Sequence, residues 1–525
     1  TGGTVTVTAA QTYSGGSTVN GGTLQINSGG GLLDTGAVDI SSGAVLALAS
    51  GVNDTVGAVT LTNGSITGPG TLTSNDTVTG FDVRNGSISA VLAGNAGLSK
   101  STGSTVTLSA ANTYSGGTTI SDGTLQINSG GGLRDDGAVN INGGAAVLAL
   151  ASGVNDTVGA VTLTNGSING PGTLTSNDTV TGFDVRNGSI SAVLAGSGRL
   201  TKTAAGGVNT VTISVAQAYT GGTTISDGTL QINSGGGLRD DGAVNVNGGT
   251  AVLALASGVN DTVGAVTLTN GSINGPGTLT SNDTVTGFDV RNGSIGAVLA
   301  GNAGLSKSTG GTVTLSKANT YGGGTTISNG VLQINSGGGL RDDRAVSING
   351  NTAVLALASG VNDTVGAVTL IDGSISGPGT LTSNDTVTGF NVRNGSISAV
   401  LAGNAALDKT TTGTVTITIA QTYSGGTTVN DGTLRVSGSG NLSGGAVSLA
   451  STSAELDIVG ATVGNTLTSN GGVLSSSTGG GTYSGTATLS ANTTVRSGDA
   501  ATGLTVSGNL GGAGGLVKDG SGRVT

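Results

Sequence analysis

The feature that most constrains this chain is internal repetition at two nested periods. Tyr13, Tyr114, Tyr219, Tyr321 and Tyr423 sit in Tyr-Ser-Gly-Gly-like contexts at intervals of 101, 105, 102 and 102. Phe81, Phe183, Phe288 and Phe390 keep the same beat, as do Pro69, Pro171, Pro276 and Pro378. The longer interval reflects extra residues at 204–209, expected in a surface loop. Inside each repeat runs a period of 22. Asn155-Asp156-Thr157-Val158 returns as Asn177-Asp178-Thr179-Val180, and Asn165-Gly166-Ser167-Ile168 returns as Asn187-Gly188-Ser189-Ile190. The same shift carries Val139 to Val161 to Phe183, and Ile141 to Leu163 to Val185.

Fixed apolar columns at this period predict an all-β fold, a parallel β-helix or β-solenoid in which each short period is one coil. Strands are expected at 105–108, 124–127, 138–141, 147–150, 160–163, 180–185 and 189–194, each bounded by Gly, Asn or Asp. A repeat then holds roughly four and a half coils, stacked about 4.8 Å apart. Val161, Leu163, Ile168, Phe183, Val185 and Ile190 are predicted to point inward, with a local bulge where Phe183 follows Val161. No Pro-rich or charged linker interrupts the array. One continuous solenoid is therefore expected over 1–436, in repeats at roughly 1–97, 98–198, 199–303 and 304–405 with a partial copy at 406–436. Residues 437–525, which lack the Phe and the Ser-Asn-Asp-Thr-Val-Thr-Gly-Phe motif, are read as a divergent solenoid repeat.

Composition removes several alternatives. Among 525 residues there are 103 Gly but only 4 Pro, without a three-residue period, which excludes collagen. Hydrophobic residues are 35% and charged residues 9%, opposite to the balance of a disordered chain. The net charge of −10, with no basic stripe, argues against nucleic acid. No apolar run approaches the length of a membrane span. With no Cys and no His, disulfides, Ser-His-Asp triads and His/Cys metal clusters are impossible. The chain starts at Thr1 without Met or signal peptide and is expected to be a mature piece or a segment of something longer.

The polar motifs are read as structural. Asn-Asp-Thr and Asn-Gly-Ser match the N-glycosylation pattern, but turn chemistry explains them first. The short period would set Asp54 over Asp76 and Asp156 over Asp178. Such stacked carboxylates could draw a calcium ion, although solvated turn carboxylates are the preferred reading and no metal is expected to be required. Arg134-Asp135-Asp136 recurs as Arg239-Asp240-Asp241 and Arg341-Asp342-Asp343, whereas the first repeat has Leu33-Asp34-Thr35. A catalytic pair copied in repeat after repeat and lost in one copy is implausible, so surface ion pairing is expected. Asp184 and Arg186, two apart on a strand, are expected to pair on the outer face. No catalytic, cofactor-binding or metal-binding residue is assigned.

Residues 97–127 resemble the autotransporter-associated β-strand repeat, through Leu98, Lys100, Leu108, Asn112, Tyr114, Gly116, Gly117, Gly123 and Leu125. Further copies begin near Gly304 and near Ala406, with Leu407 and Lys409, and a looser one near Gly198, with Leu200 and Lys202. The resemblance covers well under half of each repeat. It implies a passenger region of a Gram-negative surface protein, folded as a right-handed parallel β-helix, with a part in export and in building a stalk. It brings no catalytic residues.

The function expected is that of a non-enzymatic extracellular stalk or filament at the bacterial cell surface. The alternative is an adhesin whose sides or loops, such as 204–209, bind host proteins or glycans. Both ends lie inside the repeat pattern, so self-association or continuation of the same polypeptide is expected there.

Overall fold

The computed structural model describes every residue except Thr1, Ala205, Gly207 and Val208, so the inserted loop at 204–209 lies partly outside the described residues. The described residues form strands, turns and bends with no helix. They fall into two compact units, Thr1–Gly264 and Ala265–Thr525.

In the first unit each coil offers up to three strand positions, and each strand pairs in parallel with its counterpart in the next coil. The first position runs through Val161, Phe183, Leu200, Thr223 and Val244 as successive partners. The second runs through Ile168, Ile190, Ile213 and Ile232. The third is intermittent: Asn155–Val158, Thr173–Ser176, Val193–Gly196 and Ala218–Tyr219 pair in turn, and then a Gly-rich loop takes the place of the strand. In some coils the first two positions join into one long strand, as in Leu98–Leu108, Thr118–Ile127 and Val139–Leu150, with the register broken at the corner between them. The second unit is built the same way, and its parallel pairing continues through Val447–Leu449 and Leu467–Asn470 to Leu510–Gly512.

Alternation makes the core. Strands such as Phe183–Val185 and Thr229–Ile232 place every second residue inside, because successive side chains point to opposite faces. Val161, Leu163, Ile168, Phe183, Val185 and Ile190 are all fully buried, as the shared register predicts.

Two expectations need correction. The coil is not uniform. Successive first-position partners are Val139, Val161, Phe183, Leu200, Thr223 and Val244, so the steps differ and a repeat holds five coils. The short step, from Phe183 to Leu200, follows Val193–Gly196, which reaches Leu200–Lys202 through Ser197, Gly198 and Arg199 alone. The previous coil spends the longer Asn177–Gly182 turn on the same crossing. Residues 180–185 and 189–194 are not single strands. Val180 is an exposed turn residue ahead of Phe183–Val185, and the second segment splits into Gly188–Ile190 and Val193–Gly196 on two sides of the coil. Phe183 sits between Val161 and Leu200 in unbroken register. Its ring is accommodated sideways, against Tyr219 at 6.3 Å in a tilted arrangement. The pairs Phe81–Tyr114, Phe288–Tyr321 and Phe390–Tyr423 repeat this packing.

Phe183→Ala is expected to cost about 3–5 kcal/mol through the cavity it leaves. In a nearest-neighbour architecture the damage stays local. Hydrogen exchange should accelerate in the coils of Val161, Leu200 and Tyr219 and leave coils beyond them unchanged.

Candidate functional site

The buried polar side chains are the natural place to look for chemistry, and they recur once per repeat. Asp54, Asp156, Asp261 and Asp363 are fully buried. Each sits on a third-position strand between outward-facing Asn and Thr, and its side chain therefore points inward. Directly before this strand in the stack, the third position is not a strand but the Ser-Gly-Gly-Gly-Leu loop of the preceding coil. The loop's amides, which lack a strand to pair with, turn to the carboxylate. Asp156 Oδ2 accepts from Leu133 N at 3.0 Å, and the pairs Asp54–Leu32, Asp261–Leu238 and Asp363–Leu340 repeat this at 2.9, 3.1 and 2.9 Å. The loop needs its glycines for this. Gly131 has φ of 76°, and a Cβ on Gly132 would lie 2.5 Å from Ile127 Cγ2.

The second carboxylate oxygen, Oδ1, has no hydrogen-bond partner in any of the four. Burial pushes these carboxyls up, and the loop amides only partly oppose it: to about 6 for Asp156, about 7 for Asp261 and about 6 for Asp363, with Asp54 raised as well.

The expected stacking of Asp54 on Asp76 and of Asp156 on Asp178 does not occur. Asp54 pairs in register with Leu72, and Asp156 with Leu174. The third position thus advances by less than the first does between Val161 and Phe183, because its connections to the next coil are shorter. Identical Asn-Asp-Thr-Val sequences therefore take two conformations. The second copy is a turn in which Asp178 Oδ1 accepts from Val180 N and Thr181 N at 2.8 and 2.7 Å, and those bonds hold its carboxyl below the usual range.

Lysine is the second buried group. Lys100, Lys202, Lys307 and Lys409 are fully buried at inward core positions, as where Lys202 stands between Val185 and Ile225. Lys202 Nζ donates to Thr203 O at 2.7 Å and Asp227 O at 3.0 Å, satisfying carbonyls at the open corner of the coil. Lys100, Lys307 and Lys409 do the same with the carbonyls of Asp122, Asn329 and Asp431. Burial lowers the pKa of each ammonium. Amides form a third set. Asn112 accepts from Leu92 N at 2.8 Å and donates to Gly132 O at 2.7 Å, tying three coils together. Gln217 takes the equivalent role by accepting from Leu194 N. Tyr114 and Tyr219 each share a 2.7 Å hydrogen bond with a threonine, Thr118 and Thr223.

Outside, Arg134 pairs with Asp136, Arg239 with Asp241, and Arg341 with Asp343 at 2.8 Å, the surface ion pairs expected. Arg186 pairs with Asp184 at 2.7 Å on the outer side of its strand. A recess next to Asn112, Thr113, Arg134 and Asp136 is open, and the Arg134 guanidinium within it is already engaged by Asp136 and Thr113 O. Among the described residues no cluster of three or more His, Cys, Asp or Glu could hold a metal, and no helix is long and apolar enough to cross a membrane. The recurrent Asp, Lys, Asn and Gln groups are spent on the backbone of neighbouring coils. Their signal in the sequence is faint: Asp54 alternates with Val52 and Val56, and Lys100 with Leu98, as inward residues would.

Residues 2–26, 98–127, 195–232, 305–334 and 407–436 match the passenger-associated-transport-repeat family. Over 225 residues, 40% of the chain, the sequence is 32% identical to the adhesin BmaC autotransporter of Brucella suis biovar 1 (strain 1330). The match covers 6% of that protein's length. No solved structure gives a significant match.

Replacing Lys202 by Met keeps the buried aliphatic stem and strands two carbonyls. Lys202→Met is expected to destabilise by about 1–3 kcal/mol in denaturant unfolding. Lys317→Met, at an exposed position, should change stability little.

Proposed function

We propose that this chain, an autotransporter passenger repeat protein of the extracellular cell surface, serves as a non-enzymatic structural stalk. The observation that carries the reading is the use of the buried polar groups. The recurrent Asp, Lys, Asn and Gln side chains bind backbone of adjacent coils, so each repeat holds its neighbours rather than presenting a reactive or recognising group. Five coils per repeat add about 24 Å of rise at the inter-strand spacing. Near-copy repeats are therefore a means of setting length. Stiffness follows because each coil is hydrogen-bonded along its strands to the next.

A specific observation favours a second reading, an adhesin that binds along its sides. Val78, Val180, Val285 and Val387 stand on turn tips and are 76–95% exposed. The turn at Val78 is fixed by Asp76 Oδ1, which accepts from Val78 N and Thr79 N at 2.8 Å. The relative in Brucella suis is named an adhesin. Single valines are small contact points, and aromatic platforms for sugar stacking are scarce at 2% of the chain, so we place the stalk first.

The readings separate on an array of glycans and host matrix proteins probed with the purified chain. A stalk gives no saturable binding. Saturable binding abolished by Val→Ser changes at the four tips establishes the adhesin. We also propose that no metal is needed, since the Asp54 and Asp76 columns are not superposed. Melting curves with and without chelator should coincide, and a fall of many degrees on chelation would reveal a cation site.

A further inference from the structure

The four buried aspartates leave one feature that a passive stalk does not require. A buried polar atom ordinarily finds a partner, and a buried charge is costly unless it is paired. Oδ1 of Asp54, Asp156, Asp261 and Asp363 is buried and has no donor. The tail of the chain shows what a satisfied buried carboxylate looks like here. Asp457 receives Arg435 Nε at 2.9 Å, Ser477 N at 2.9 Å, Ser477 Oγ at 2.7 Å and Ser475 Oγ at 3.2 Å, so both its oxygens are engaged. Asp156 has Leu133 N on one oxygen and nothing on the other.

We propose that Asp54, Asp156, Asp261 and Asp363 are proton-binding sites, each holding its proton on Oδ1 as a neutral acid, so that the coil stack is tightest in acid and loosens as pH rises toward neutrality. The surroundings of Asp156 favour the neutral form. Its own strand carries no other ionisable group, and neither does the partner strand Thr173–Ser176. The preceding Gly-rich loop brings Arg134, Asp135 and Asp136. Arg134 is committed to Asp136 and Thr113 O, and Asp135 opposes ionisation of Asp156. Tyr114, buried and neutral, is the remaining titratable neighbour, and burial and the Asp156 charge both keep it protonated. Asp34, Asp240 and Asp342 stand to Asp54, Asp261 and Asp363 as Asp135 does to Asp156.

The sign follows from linkage. In the unfolded chain these carboxyls ionise near 3.8, while in the fold Asp156 and Asp363 hold the proton to about 6 and Asp261 to about 7. The folded state binds more protons between those values, so stability is fully present below the unfolded value and is lost as pH rises through 6 to 7. The turn aspartates Asp76, Asp178, Asp283 and Asp385 act oppositely. Their carboxyls are lowered by turn amides, and their contribution is lost only as pH falls below the ordinary carboxylate range. Stability should therefore peak in mild acid rather than at neutrality.

The test is thermal unfolding of the full chain across pH, together with the Asp156→Asn/Asp261→Asn/Asp363→Asn variant. The melting midpoint of the natural chain should be highest near about pH 4 and fall by several degrees by about pH 8. The variant, whose carboxamides do not ionise, should lose most of that fall. An equal fall in the variant, or a natural chain whose midpoint is flat or rises over the range, overturns the proposal. A second reading needs no variant. At about pH 5.5 exposed aspartates are ionised, so an infrared band of un-ionised carboxyl groups in the natural chain must come from buried ones. Its presence there and disappearance above about pH 8 is the expected result, and its absence at about pH 5.5 refutes the proton sites.

Discussion

Parallel strands must hand every backbone amide to the neighbouring coil, and in a chain without disulfides that ladder is what each other feature serves. It sets the inward and outward alternation of side chains and forces each apolar column to continue from coil to coil. Val139, Val161, Phe183 and Leu200 are one such column. Where the ladder is continuous, as along the second position from Ile168 to Ile232, the side chains inside are Val, Ile and Leu. Where it is interrupted, backbone groups are left over inside the structure, and leaving them unpaired would cost free energy.

The recurrent buried Asp, Lys, Asn and Gln residues stand at such interruptions. The Gly-rich loop that replaces a third-position strand has spare amides, and Asp156 takes one. The corner where the first and second positions part has spare carbonyls, and Lys202 takes two. The segment ahead of Tyr114 is bridged to the coils on either side by Asn112. These residues look like candidates for chemistry when seen singly, as buried acids and bases often do. Seen against the ladder they are its repairs, and only the unfilled oxygen of the aspartates is left with something further to do.

Much of this architecture was legible in the sequence, and what was not has a physical cause. The first-position columns were readable because Val161 and Phe183, or Leu163 and Val185, are separated by the same interval as their flanking motifs. The third position was not, because its register carries Asp156 to Leu174 while the sequence motif carries it to Asp178. The two copies of Asn-Asp-Thr-Val therefore part company. Asp156 goes into the core opposite a Gly-rich loop, and Asp178 caps a turn. Local propensity cannot separate identical tetrapeptides, and tertiary context decides. The ring of Phe183 packs to the side against Tyr219, a contact between coils that strand register alone does not reveal.

The account rests on the Gly-rich loops being bonded into the stack rather than lying on it. Native-state hydrogen exchange at the amides of Leu32, Leu133, Leu238 and Leu340 tests this most directly, since each donates to a buried aspartate and to no strand. Protection comparable to that of the strand amides of Val161 and Leu163 is expected. Exchange at the rate of an open loop would contradict it.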